Sequence, residues 1–332
     1  MPTEMHNVLF DSRRWEGFEF RDDDIVISTP PKCGTTWTQM LVALLIFDTP
    51  DLPSPLARLS PWLDMNTRSL AEVRAEVDAQ THRRFIKSHL PFDALPHDER
   101  VTYVCVGRDP RDVALSMAHH MSNIDFEVFM AQRIAAVGME DVVDMKPEDV
   151  PVIADNEVDG FWNWVEGNGS GPSGLEAMVH HLRSFWQHRD DPNVVMLHYN
   201  DLHDDLVGQM TYLARRLGIE RSAERIAELA PFARFDAMRS AAEKVAPNSD
   251  QGFWRSTTDF FHKGTTGQWR DVVGANEMPR YAARLNTLAD AEFARWLHHG
   301  AIDASYTEAF KEWDASENGD LWDSAAADGT DD

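Results

Sequence analysis

The chain has 332 residues, 43% of them hydrophobic, which is enough to build one large α/β domain or two modest ones. It carries 31 basic and 56 acidic residues, a formal net charge of −25 at pH 7. This balance argues against a nucleic-acid partner, because neutralising phosphates requires a basic face. A small polyanionic ligand is not excluded, since it needs only a few local cations and backbone N–H groups.

The composition also bears on the compartment of the protein. Only two cysteines occur, Cys33 and Cys105, so no disulfide framework is predicted. The first residues lack the apolar stretch of a secretory signal, and the longest apolar run, residues 40–47, is too short to span a bilayer. The sequence therefore predicts a cytoplasmic protein without an integral membrane segment.

Four short apolar runs predict β-strands, at residues 24–28, 84–87, 101–106 and 194–197. Helical patterns lie between them, the clearest at residues 36–47 and 112–121. Short apolar strands that alternate with helices predict a parallel, doubly wound α/β sheet. In such sheets the ligand site lies beyond the carboxyl ends of the strands.

Two stretches depart from this alternation. Residues 122–178 contain an acidic, proline-bearing segment and a Gly/Ser-rich loop, so they are predicted as a loop-rich insertion, either a mobile surface element or a lid over an acceptor site. Residues 316–332 are rich in Asp, Ala and Gly and are predicted to be a disordered acidic tail. Residues 1–315 are expected to form a single domain.

The loop between the first strand and the first helix is typical of a phosphate site. Lys32 supplies a positive charge, Gly34 allows close approach, and Thr35 and Thr36 offer hydroxyl donors at a helix start whose N–H groups attract anions. The loop is not a Walker A motif, because Lys32 precedes the only glycine. A plain Pro/Gly turn capped by threonine is the alternative interpretation.

Four segments resemble those of the cytosolic-type sulfotransferases that use 3′-phosphoadenosine-5′-phosphosulfate (PAPS). Residues 31–37 (PKCGTTW) are similar to the family's 5′-phosphosulfate loop, usually PKSGTTW, with cysteine in place of serine. Residues 87–91 (KSHLP) resemble the KTHLP segment that carries the catalytic histidine. Residues 108–116 resemble the 3′-phosphate segment, and residues 261–269 resemble the C-terminal segment that closes over the same phosphate.

Within that family the mycobacterial glycolipid-sulfotransferase type is most similar, on residues 60–64 (SPWLD) and 236–240 (DAMRS). The resemblance implies a three-layer, P-loop-like α/β fold with a central parallel sheet flanked by helices. It also implies transfer of a sulfuryl group from PAPS to an acceptor hydroxyl, with adenosine 3′,5′-bisphosphate (PAP) as product and no metal requirement.

The resemblance assigns roles to individual residues. His89 would be the general base on the acceptor hydroxyl, since an ordinary histidine pKa of about 6.5 suits that task. Lys32 would contact the bridging oxygen and Lys87 the sulfuryl oxygens. The expected donor contacts are Lys32, Cys33, Gly34, Thr35 and Thr36 at the 5′-phosphate, Arg108, Ser116, His262, Lys263 and Gly264 at the 3′-phosphate, and Trp37, Tyr199, Phe235 and Met238 around the adenosine.

Three positions depart from the family pattern, each near the donor. His262 stands where the family has arginine, Ala233 where it has threonine, and Gln268 where it has aspartate. We expect these changes to affect the affinity for the donor more than the type of reaction.

The acceptor is not readable from the sequence: a phenol, a sterol, a simple alcohol and a glycolipid headgroup all fit, and the oligomeric state stays open. Trp162, Trp164 and Trp186 either line an apolar acceptor pocket or belong to the core. The alternative functions are a P-loop-type kinase, which would need Mg²⁺ ligands, and a non-catalytic adenosine-bisphosphate binder, which would not need Lys87 and His89.

Overall fold

The computed structural model describes residues 2–143, 154–168 and 173–300. Four strands form one parallel sheet in the order β2-β1-β3-β4: β1 (Ile25–Ser28), β2 (Phe85–Ser88), β3 (Thr102–Gly107) and β4 (Val194–His198). Nearly every strand residue is buried, as expected for a parallel sheet that is covered on both faces. All four predicted strands are confirmed.

The described residues contain these helices: α1 (Thr35–Phe47), α2 (Leu56–Leu59), α3 (Leu70–Asp78), α4 (Pro110–Ser122), α5 (Phe126–Val137), α6 (Met139–Val143), α7 (Glu157–Glu166), α8 (Leu175–Trp186), α9 (Tyr199–Asp204), α10 (Leu206–Arg216), α11 (Ala223–Leu229), α12 (Phe235–Ser240), α13 (Ala242–Val245), α14 (Met278–Asn286) and α15 (Ala291–His299). None of them has the length and apolar character that a membrane crossing requires.

The helices form two layers, one on each face of the sheet. The side chains of Val26 and Cys105 share one apolar core with α3, α4, α7, α8, α14 and α15. Those of Ile27 and Val104 share a second core with α1, α2 and α9 to α13. Alternate strand residues therefore point to opposite layers, which gives the predicted three-layer arrangement.

The stretch predicted as a loop-rich insertion is largely helical where it is described. It comprises α5, α6, α7 and the start of α8, whereas residues 144–153 and 169–172 lie outside the described residues. The predicted tail, residues 316–332, lies outside them as well. Helix α7 packs against α4, α8 and α14 and contributes aromatic side chains to the core that these helices share.

The three tryptophans considered for an acceptor pocket belong to the core instead. Trp162 and Trp164 are buried on the inner face of α7. Trp186 packs against Trp296 of α15, with ring centres 5.1 Å apart. The acceptor-pocket alternative is wrong for these residues, none of which lines the cavity. Helices α7 and α8 are amphipathic, and burying their apolar faces in the core takes the aromatic rings with them.

Candidate active site

The carboxyl ends of the four strands open into one cavity of about 800 Å³. Because the strands are parallel, their carboxyl ends meet at a single edge, and the segments that follow them converge there. The cavity is lined by most of the residues that the sequence singled out, namely Lys32, Gly34, Thr35, Thr36, Trp37, Lys87, His89, Arg108, Ser116, Tyr199, Phe235, Met238, His262, Lys263 and Gly264.

The loop after β1 reaches the cavity through two left-handed backbone positions. Lys32 has φ +68° and Gly34 has φ +112°, and the turn that they form delivers the free N–H groups at the start of α1 to the cavity. The hydroxyls of Thr29 and Thr35 are hydrogen-bonded at 2.5 Å. This arrangement leaves the helix start open to an anion, because its N–H groups have no intrahelical acceptor.

Cys33 is the one predicted donor contact whose side chain does not line the cavity. Its thiol is fully buried in the core beneath the loop, and burial raises its pKa to about 12. The left-handed turn at Lys32 explains the orientation, because it directs the lysine into the cavity and the next side chain away from it. Cys33 is therefore not among the residues that line the cavity, and its backbone N–H donates within the loop, to the carbonyl oxygen of Pro30 at 3.3 Å.

A hydrogen bond to a backbone carbonyl of the loop after β1 holds His89 in one tautomer. Its Nδ1 lies 2.6 Å from the carbonyl oxygen of Thr29, so Nδ1 donates its proton and Nε2 carries the basic lone pair. Burial, with a further contribution from Lys87, holds the pKa of His89 well below its usual value. The imidazole is therefore neutral at pH 7 and able to accept a proton.

Lys32 and Lys87 enter the same centre as desolvated ammonium groups. Burial, followed by the charge of Arg108, lowers the pKa of Lys32 to about 7. Burial also lowers the pKa of Lys87 to about 7; the nearby Asp64 raises it and Lys32 lowers it further. An anion bound between the two lysines would favour their charged forms and reverse this shift.

Trp62 supports both Lys87 and His89 from below. Lys87 Nζ lies 4.0 Å from the centre of the Trp62 ring, and the His89 ring meets Trp62 edge-on at 4.6 Å. The indole Nε1 donates to Asp64 at 2.5 Å. Asp64 also accepts hydrogen bonds from Trp15 Nε1 at 2.8 Å and from Ser88 Oγ at 2.5 Å, which fixes it beneath the end of β2.

The predicted 3′-phosphate side centres on Arg108, at the end of β3. Its guanidinium donates to the carbonyl oxygens of Lys32 at 3.1 Å and Thr265 at 3.2 Å and stacks 4.1 Å above the Tyr199 ring. Its Nε is buried without a hydrogen-bond partner. Ser116, two turns along α4, lines the same part of the cavity. A buried donor without an acceptor fits a site whose anion is supplied by a ligand.

Helix α4 holds the C-terminal segment, residues 261–269, over the predicted 3′-phosphate side of the cavity. Asp112 accepts hydrogen bonds from the backbone N–H of Gly267 at 2.6 Å and of Trp269 at 3.3 Å. Gly264 has φ +67°, and a Cβ there would collide with the Phe235 ring. Glycine is therefore required at this closure by both its backbone angle and the ring beneath it.

His262 does not replace the family arginine as a permanent charge. Its ring stacks on His119 of α4, with centres 3.8 Å apart and planes 12° apart. Partial burial, followed by the neighbouring His119 and Lys263, lowers its pKa to about 4, so it is neutral at pH 7. Ala233 lines the cavity with a methyl group only.

The cavity has a second half, opposite the predicted donor contacts, and the sequence did not predict its side chains. His120, Trp62, Trp254 and Phe260 line it together with apolar side chains, namely Leu9, Met65, Ile124, Phe129 and Phe253. Trp62 lies in the segment of residues 60–64 that the family resemblance had already marked, and this was a usable signal. His120 lies at the end of the helix predicted at residues 112–121, beyond the segment that resembles the 3′-phosphate motif, and Trp254 and Phe260 lie in a segment without strand or helix periodicity. This half offers an apolar wall to an acceptor.

The cavity fits a polyanionic nucleotide. Its donor side combines a helix start, two desolvated lysines and the unpaired Nε of Arg108, and it adds a second buried unpaired donor, Trp37 Nε1. Within the described part of the chain, no group of three His, Cys, Asp or Glu side chains is arranged to hold a metal ion.

Residues 22–292 match the family model of the sulfotransferase domain. The chain is 42% identical over 305 residues to a glycolipid sulfotransferase of Mycobacterium bovis, which covers 89% of this chain and 93% of the relative. A glycolipid sulfotransferase of Mycobacterium tuberculosis gives the same figures. The amine sulfotransferase of Oryctolagus cuniculus is 23% identical, with 80% of each chain covered.

Solved structures with a similar fold agree. Retinol dehydratase in complex with retinol and PAP has a TM-score of 0.64 at 21% identity, with 84% of each chain covered. Mouse sulfotransferase SULT7A1 complexed with PAP has a TM-score of 0.63 at 19% identity, which covers 86% of this chain and 92% of the mouse chain. The chain therefore belongs to the sulfotransferase family, and its reaction is PAPS-dependent sulfuryl transfer. Membership decides against the kinase and the non-catalytic binder.

Proposed function

We propose that the chain transfers the sulfuryl group of PAPS to a hydroxyl group of a glycolipid acceptor, with His89 as the general base. The observation that carries this proposal is the hydrogen bond from His89 Nδ1 to the Thr29 carbonyl at 2.6 Å, which leaves Nε2 unprotonated in the cavity beside Lys87 and Lys32. A base on the acceptor oxygen and cations on the departing oxygens are what an in-line transfer requires.

The donor occupies the half of the cavity formed by α1, Arg108 and the C-terminal segment. Thr35 and Thr36 bind the 5′-phosphate with the N–H groups at the start of α1, and Arg108 and Ser116 bind the 3′-phosphate, joined by Lys263, Gly264 and His262. Trp37, Tyr199, Phe235 and Met238 surround the adenosine. The buried unpaired donors on Arg108 and Trp37 support this orientation, because each needs an acceptor that the protein does not supply.

The acceptor occupies the apolar half. Its hydroxyl hydrogen passes to His89 Nε2 while the acceptor oxygen bonds to sulfur and the bond from sulfur to the bridging oxygen breaks. Lys87 stabilises the charge on the sulfuryl oxygens, and Lys32 stabilises the charge that develops on the bridging oxygen. The products are a sulfate ester and PAP, and the proton leaves from His89 to solvent.

A glycolipid is proposed for two reasons. The relatives at 42% identity are glycolipid sulfotransferases, and the acceptor half presents an aromatic wall that includes Trp62, Trp254 and Phe129. Aromatic rings suit both the apolar portion of such an acceptor and the faces of its sugar. We further propose that the reaction needs no metal and takes place in the cytoplasm, which the two free, buried cysteines support.

The test is the substitution His89→Ala, assayed with ³⁵S-labelled PAPS against a panel of glycolipids, sterols, phenols and simple alcohols. Since a general base contributes roughly 10²- to 10⁴-fold, we expect kcat to fall by about a hundredfold or more while PAP affinity, measured by calorimetry, stays nearly unchanged. His180→Ala is the matched control, because His180 is exposed and away from the cavity.

Three outcomes would contradict the proposal. Substantial turnover by His89→Ala would remove His89 as the base. Transfer to phenols or simple alcohols in preference to glycolipids would overturn the acceptor class. Loss of wild-type activity in EDTA, with recovery on adding Mg²⁺, would contradict the metal-independent transfer.

A further inference from the structure

His120 contacts the reaction centre, and the chemistry described so far gives it no task. It lies in the last turn of α4, and its Nδ1 is 3.4 Å from Lys32 Nζ. Within the described residues, this amine is the only hydrogen-bond partner recorded for the imidazole. The ring packs on Trp254, with centres 5.0 Å apart, and approaches Phe260 at 6.0 Å.

Lys32 is held from two sides by this arrangement. Its Nζ lies 4.5 Å from the centre of the Phe260 ring, and Nδ1 of His120 provides the polar contact. A cation that meets an aromatic face and one neutral acceptor is stabilised at a defined point without being neutralised by a carboxylate. The amine therefore stays available for an anion while its position is fixed.

Two adjacent histidines at the end of α4 serve different parts of the cavity. Consecutive helical residues point about 100° apart. His119 consequently stacks on His262 and hydrogen-bonds the carbonyl oxygen of Asp259 at 2.9 Å, whereas His120 turns toward Lys32. The groups whose charge acts on His120 are Lys32, Lys87, His89 and His119; burial, followed by these, holds its pKa well below the usual value, so it is a neutral acceptor.

We propose that His120 is a positioning residue for Lys32: its Nδ1 accepts a hydrogen bond from the ammonium and, with the Phe260 ring, holds Nζ where the bridging oxygen of the donor will lie. The inference rests on the proposed role of Lys32 in sulfuryl transfer. It assigns His120 no contact with the reacting atoms. The contact of Nδ1 with Lys32 forces the tautomer in which Nε2 carries the hydrogen.

The test compares two substitutions that separate the ring from the acceptor. His120→Phe keeps the aromatic packing on Trp254 and removes the acceptor. His120→Asn loses the ring and retains an amide oxygen near the position of Nδ1. The chain has six lysines, so ¹⁵N-lysine labelling allows each amine to be titrated by NMR, with the signal of Lys32 assigned from its absence in Lys32→Arg.

We expect His120→Phe to lower the pKa of Lys32 by about one unit, because the buried ammonium loses its neutral acceptor. The alkaline limb of kcat/KM for PAPS should shift to lower pH with it, and kcat/KM at pH 7.5 should fall about tenfold. His120→Asn should restore most of both. His180→Asn, at an exposed histidine, is the control for histidine replacement and should leave both readouts unchanged.

Three results would overturn the proposal. The first is an unchanged Lys32 titration in His120→Phe. The second is an equal loss in both His120 variants without movement of the Lys32 pKa, which would assign His120 to packing alone. The third is a change confined to the KM of the acceptor, which would make His120 an acceptor contact. The NMR titration requires no acceptor, so the inference can fail or hold independently of the acceptor class.

Discussion

Replacing Asp64 with asparagine tests how the reaction centre is supported. Asp64 is completely buried and accepts three hydrogen bonds, from Trp62 Nε1 on one carboxylate oxygen and from Trp15 Nε1 and Ser88 Oγ on the other. Asparagine keeps the shape and one acceptor oxygen. If that oxygen keeps Trp15 and Ser88, the amide group faces the Trp62 N–H, and two donors then oppose each other.

The expected loss of stability follows from the Trp62 N–H, which is left without an acceptor. A buried polar group left without its partner costs about 1–3 kcal/mol, so Asp64→Asn should lower the free energy of unfolding by about that amount. The substitution removes the hydrogen bond that fixes Trp62. The Trp62 ring contacts Lys87 Nζ at 4.0 Å and the His89 ring at 4.6 Å. A lost cation–π contact of about 0.5–2 kcal/mol predicts a fall in kcat on the order of tenfold.

A double-mutant cycle with Trp62→Phe provides the assay. Phenylalanine removes the N–H, so the pair Asp64→Asn and Trp62→Phe contains neither the opposed donors of the first variant nor the unpaired carboxylate oxygen of the second. Urea unfolding should show the double variant to be more stable than the sum of the single effects by at least about 1 kcal/mol. Additivity within about 0.5 kcal/mol would refute the argument that Asp64 acts through the Trp62 N–H.

Two further predictions concern the donor half. Lys32 and Lys87 have pKa values of about 7 in the unliganded protein, so above pH 7 they must take up protons to bind an anion. The affinity for PAP should therefore fall between pH 7 and 9, by up to tenfold per pH unit for each lysine, and calorimetry in buffers of different ionisation enthalpy should detect proton uptake. Gly264→Ala should weaken PAP binding about tenfold, because a left-handed alanine costs roughly 1–2 kcal/mol and its Cβ collides with Phe235; unchanged affinity would show that the closure tolerates a side chain.

The strands and the donor loop could be predicted from the sequence because their signals are local. Each strand is a continuous apolar run, and the parallel arrangement places whatever follows each run at one edge. Lys32, His89 and Arg108 each lie within a few residues of a strand end, so their convergence followed from topology alone. The cavity lining confirms that these side chains share one space.

The rest depended on contacts between distant parts of the chain. Trp254 and Phe260 reach the centre from a segment without strand or helix periodicity, and only the tertiary fold brings them beside His120. Nothing in the sequence marked Trp162 as a core residue rather than a pocket residue. The amphipathic pattern of α7 is the same whichever apolar surface covers the helix. The turn of the Cys33 side chain into the core, away from the cavity, depended on the φ angle of the preceding lysine, which no sequence pattern specified.

The charge of the centre explains why so acidic a chain can use a polyanionic donor. Three of its six lysines, Lys32, Lys87 and Lys263, line one cavity, together with Arg108. Long-range repulsion from a net charge of −25 is screened beyond about 10 Å at ordinary ionic strength, whereas groups inside the cavity act at a few ångströms in a low dielectric. Without a bound anion, burial disfavours the charged forms of Lys32 and Lys87. A bound anion favours these charged forms again. The free energy lost by desolvating these cations is thus recovered when the donor binds, so affinity is set by the cavity rather than by the net charge of the surface.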